Sequence, residues 1–74
     1  MAHLEKAKRE AIELLLSLPT DRPDAELSIA GIEDPTVWLG MGWLVGYGFA
    51  AYRGGYSFRF INGMREQAAK YLEE

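Results

Sequence analysis

The residues best equipped for chemistry lie in one run, Tyr52-Arg53-Gly54-Gly55-Tyr56-Ser57-Phe58-Arg59-Phe60, where arginines and aromatics are interleaved around a Gly-Gly pair. A guanidinium forks onto carboxylate or phosphate, and the rings stack on bases, on other rings or on the guanidinium itself. Such a run suits a protein hot spot, where Trp, Tyr and Arg concentrate. It also suits RNA or single-stranded DNA. Tyr52, Arg53, Tyr56 and Arg59, joined by Trp38 from the preceding element, are the expected partner-binding residues. A plainer reading fills the core with Tyr52, Phe58 and Phe60 and pairs Arg53 and Arg59 with the acidic segment upstream.

Other chemistry finds little to build on. His3 stands next to the terminus, where a catalytic base is hard to hold in place. Ser17, Ser28 and Ser57 have no base in a recognisable arrangement with them. Asp21-x-x-Asp24-x-Glu26 offers oxygens, but without the spacing or turn glycine of a calcium loop. Gly40-x-Gly42-x-x-x-Gly46 is one residue too long for the dinucleotide fingerprint and has no strand before it. Cysteine is absent, which removes disulfides and thiolate metal sites. No catalytic residue, metal ligand or cofactor is therefore expected, and the function is read as non-enzymatic.

Charge narrows the partner. With 11 acids against 8 Lys and Arg, the net charge is -3. Phosphate-backbone binding rests on a surplus of bases, so nucleic acid ranks below protein. Between Thr20 and Asp34 five acids face one base, Arg22, whereas Pro35 to Arg65 holds three arginines and no acid. Within the latter, Pro35 to Tyr52 is an uncharged stretch of 18 residues, at the short end for a membrane-spanning helix. Four glycines and two tyrosines dilute its hydrophobicity, so a membrane span is not expected. The cysteine-free chain reads as cytoplasmic. Its 74 residues make one small domain with a thin core, which favours association, a homodimer included.

The elements that must position these residues follow from periodicity. Leu4, Ala7, Ala11, Leu14 or Leu15, and Leu18 recur at helical spacing, predicting a helix over Ala2 to Leu18 that Pro19 stops. Ile12 and Leu16 widen its apolar face, which implies more than one neighbour. Asp34-Pro35-Thr36 is a helix start, with Asp34 as N-cap and Pro35 at the first helical position. The helix it opens would run to about Arg53, stopped by Gly54-Gly55. Large and small residues also alternate from Val37 to Ala50, which is a strand signal. Helix is preferred because a strand of ~16 residues is far beyond the usual length. Helical spacing also stripes Gly42, Gly46 and Ala50 on one side, with Gly40, Gly48 and Ala51 on another, for close contacts on both sides.

The last third reads as a loop and a final helix capped by Ser57, with Ile61, Met64, Ala68 and Tyr71 inward. Its rival is an extended Tyr56 to Ile61, an Asn62-Gly63 turn and a helix from Met64. The expected fold is thus all-α, three helices around a glycine-striped central one. The alternative is α+β, with a two-stranded element from about Ala25 to Ile32 and Tyr56 to Ile61.

Gly46-Tyr47, Ala50, Gly54 and then Phe60-Ile61-Asn62-Gly63-Met64-Arg65-Glu66 partly resemble the ribosome modulation factor pattern. In that pattern a Gly-Tyr helix ending in glycine precedes an aromatic-Gly-aromatic-Arg-Glu helix. The resemblance implies ribosome binding. Met64 stands where tryptophan is expected, the intervening segment is short, and the strongly basic charge is missing. The function expected is a small protein-binding module that docks an aromatic-arginine surface on a partner. In size and mild acidity it is similar to phage or mobile-element inhibitors and regulators. RNA, single-stranded DNA or ribosome binding is the alternative, and membrane association the third reading.

Overall fold

The computed structural model describes residues 2–22 and 25–73. In chain order it contains α1 (Ala2–Leu16), β1 (Leu27–Ser28), α2 (Pro35–Tyr47), β2 (Ala50–Tyr52), β3 (Ser57–Phe60) and α3 (Met64–Glu73). The fold is mixed α+β, which overturns the all-α expectation. The three strands form one antiparallel sheet in the order β1-β3-β2.

α2 begins as its sequence requires. The Asp34 carboxylate accepts from the Thr36 N–H at 2.9 Å, and Pro35 takes the first helical position. It ends earlier than Arg53, because Gly48 adopts a left-handed φ of 90°. Gly48 donates to Val45 and Phe49 to Leu44, which satisfies the last carbonyls in the usual glycine-terminated manner. Once that stop is made, alternation governs and Ala50–Tyr52 extends as a strand. The chain then reverses through Gly54 and Gly55, both at positive φ, with Arg53 N–H bonded to the Ser57 carbonyl at 2.9 Å. Ser57 is therefore the first residue of β3 and caps no helix.

Register explains which side of the sheet is buried. Tyr52 and Leu27 both lie opposite Phe58, and Ala50 lies opposite Phe60, so these five share the face turned to the helices. Ala51 with Arg59, and Ser28 with Ser57, occupy the other face. Ile12, Leu15, Ile29, Met41 and Leu44 are fully buried between α1, α2 and the inner sheet face. Each such side chain contributes ~1.5–3 kcal/mol of burial. The wide apolar face of α1 is used in full, against α2, α3 and β3.

The glycine stripes behave differently from expectation. Gly40 alone is a packing device: a Cβ there would stand 2.1 Å from the Ala7 carbonyl oxygen and 2.8 Å from the Ala11 Cβ. Gly42 and Gly46 have nothing within 4 Å of that position. Ala50 and Ala51 belong to β2, and Gly48 is the cap. The close contact thus exists on one side of α2, against α1. On the other side each helical glycine costs ~1 kcal/mol relative to alanine with no contact in return.

Candidate functional site

The hairpin and α2 bring two of the five expected binding residues, Trp38 and Tyr56, into contact, and the hairpin carries Tyr52 as well. Trp38, on α2, meets Tyr56, in the β2–β3 turn, edge to face at 5.5 Å between ring centroids. The Trp38 indole N–H donates to the Ile32 carbonyl at 2.9 Å, which fixes the ring. Tyr52, at the end of β2, leans on Phe58 at 5.5 Å, and its hydroxyl donates to the Gly55 carbonyl at 2.9 Å. Trp38, Tyr52 and Tyr56 remain 38%, 55% and 53% exposed. The polar tips of Trp38 and Tyr52 are tied to local carbonyls, and Tyr56 is braced by its ring contact with Trp38, while their apolar faces stay wet.

Arg53, just past β2, donates from Nε to the Glu26 carboxylate at 3.3 Å, which matches the expected pairing with the acidic segment. Arg59 lies opposite Ala51, on the sheet face away from Tyr52 and Phe58. No hydrogen bond or ion pair holds it among the described residues, so the expected pairing with an acid is not seen there, Asp24 lying outside them. Arg65 serves the fold: its Nη2 donates to the Leu16 and Leu18 carbonyls at 2.7 and 2.9 Å, closing the end of α1. Of the three arginines in the acid-free segment, one is spent on a helix terminus and one is paired.

A second aromatic cluster escapes sequence reading. Trp43 stacks on Tyr47 at 4.5 Å and lies 5.8 Å from Phe49 and 5.9 Å from Tyr71. The Lys8 ammonium sits 4.3 Å from the centre of the Trp43 ring, and the Arg9 guanidinium 5.6 Å from that of Tyr71. Tyr71 donates a 2.6 Å hydrogen bond to the Glu5 carboxylate. That bond, aided by Lys8 and Arg9, holds the Glu5 carboxyl below its ordinary pKa; the same bond, aided by burial and by the Glu5 charge, raises that of Tyr71. Arg9 also donates to the Leu72 carbonyl at 3.0 Å. The i, i+4 pair Trp43–Tyr47 was the one local signal; the rest needs α1, α2 and α3 already docked. With its cations supplied by its own chain, this cluster joins helices.

The remaining candidates stay apart. A shallow concavity of about 180 Å³ lies near Leu18, Arg22, Phe60, Asn62 and Arg65, below the usual size of a ligand pocket. Asp24 lies outside the described residues, as does the side chain of His3. Among the described residues no three His, Cys, Asp or Glu converge as metal ligands. No described helix is long and apolar enough to cross a membrane.

Comparison with protein-family models, with curated proteins and with solved structures finds no match for this chain in any of the three. The partial likeness to ribosome modulation factor therefore rests on its residues alone, and a β-hairpin fills the segment between its two halves.

Proposed function

We propose that this protein is a small protein-binding module that docks through Trp38, Tyr52 and Tyr56, with Arg53 at the rim. The observation that carries the reading is three large exposed rings on α2 and the hairpin, with Trp38 and Tyr56 in contact and Trp38 and Tyr52 fixed by hydrogen bonds. Exposed apolar patches with fixed aromatics are characteristic of interfaces, because little side-chain entropy is lost on contact. Arg53, already paired with Glu26, would exchange that partner for a carboxylate on the bound protein. A module of this kind works as an inhibitor or regulator by occupying its partner's surface, and the cysteine-free chain accords with a cytoplasmic setting. Nucleic acid has weaker support, since the net charge is -3 and two of the three arginines of the acid-free segment are already engaged, Arg53 with Glu26 and Arg65 with the end of α1.

Capture experiments with the immobilised chain test the reading. A discrete protein retained by the wild type should be lost by the Tyr52→Ala/Tyr56→Ala variant and kept by Arg59→Ala. Affinity for that protein should fall by about 30-fold or more, as for a hot-spot pair. Equal retention by all three chains, or retention of nucleic acid that disappears steeply with salt, would refute it.

A further inference from the structure

The solvent side of α2 carries the largest unclaimed feature of the molecule. Helical spacing places Leu39, Gly42 and Gly46 along its crest, with Trp38 and Val45 on one flank and Trp43 and Tyr47 on the other. We infer that this face is where a second copy of the chain binds, the two α2 helices crossing antiparallel. Area, charge and shape each favour that occupant. At roughly 200 Å² per aromatic side chain, exposures of 38% at Trp38, 69% at Tyr47 and 53% at Tyr56 leave roughly 300 Å² of ring uncovered. Leu39, 53% exposed, with Val45 and the bare backbone at the two glycines, brings the face toward the ~600 Å² per partner of the smaller specific interfaces.

Charge selects among partners for such a face. α2 has no charged residue, so two chains of net charge -3 meet there without like charges opposed, whereas α1 and α3 carry their charges outward. The face is also its own complement. About a two-fold axis near Gly42 and Trp43, Leu39 of each copy falls over Gly46 of the other, a knob over a hollow made twice. A single copy leaves that hollow empty, with nothing within 4 Å of either glycine's absent Cβ. The inference shares Trp38 and Tyr56 with the docking surface proposed above but is centred on Leu39. Its failure leaves capture through Tyr52 and Tyr56 standing.

Sedimentation equilibrium of the full chain, with amide NMR spectra of the same samples, is the test. A reversible monomer–dimer equilibrium is expected, with concentration-dependent shifts centred on residues 38–47. Leu39→Glu should weaken the dimer about 100-fold while circular dichroism stays native. The Gly42→Ala/Gly46→Ala pair is sharper, because the added methyls meet open space in one copy and fall at the helix crossing in two. Dilute protein should keep or raise its thermal midpoint while dimer affinity falls about tenfold. If Leu39→Glu does not fold, the glycine pair and the wild-type shifts decide. A monomer at every concentration overturns the inference, as does a dimer indifferent to these variants. A monomer whose α2 signals instead broaden on phosphatidylcholine vesicles also overturns it and gives the face to lipid.

Discussion

Tyr71 shows how much one polar contact organises. Its hydroxyl reaches Glu5 from the far end of the chain, 66 residues away, and ties α3 to the start of α1. The bond lowers the Glu5 pKa, so its contribution to stability is present above the ordinary carboxylate range and is lost as pH falls through the lowered value. Tyr71→Phe keeps the ring beside Trp43 and removes only the donor. In an NMR titration Glu5 should then ionise closer to its ordinary value. The difference in urea midpoint between the two proteins should be largest near neutral pH and vanish in acid. An unchanged Glu5 titration would show that Lys8 and Arg9, not the hydroxyl, set its pKa. The binding residues illustrate a different limit. Residue type pointed to Trp38, Tyr52, Arg53, Tyr56 and Arg59 alike, but strand alternation sends Arg59 to the far side, and that depends on a register the sequence does not display.

At the scale of elements, the same substitution should have opposite signs on two faces of α2. Gly40→Ala drives a methyl into the Ala7 backbone and should cost ~2 kcal/mol or more, by displacing α1 from α2. Gly42→Ala meets open space and should stabilise dilute protein by up to ~1 kcal/mol through helix propensity. Thermal or urea denaturation of both variants checks this, and equal effects would mean α2 is docked on a different face. The Asn62-Gly63 turn before Met64 belonged to the rival of the preferred Ser57-capped helix. What was readable here is what local chemistry decides: the Asp34-Pro35 start and the body of α1. The end of α2 was not, because Gly48 and the Gly54-Gly55 pair are both plausible stops and only tertiary pairing chooses between them. Choosing Gly48 releases Ala50–Tyr52 to pair with β3. The runner-up fold had paired residues 25–32 with 56–61, which contain β1 and β3, and lacked this third strand. The glycine stripe suggested packing on two sides, yet periodicity cannot tell a glycine under a neighbouring helix from one facing water.

For the whole molecule, the arrangement is economical inside and open outside. A core of mostly aliphatic side chains holds three helices against one face of a small sheet, with no buried polar or charged residue among those described. Four of the nine aromatic residues, Trp38, Tyr47, Tyr52 and Tyr56, stay substantially exposed. A chain this short gains from covering such surface, and the two faces argued above give it two ways to do so. The hairpin face carries the functional claim. Its most direct measurement is site-specific photo-crosslinking in cells, with a benzophenone side chain at Tyr56 and, as control, at the exposed Gln67 on α3. A discrete protein adduct, heavier than two copies of this chain and formed from position 56 but not 67, is the predicted result. Adducts of equal yield from both positions, or adducts to nucleic acid alone, would contradict the account.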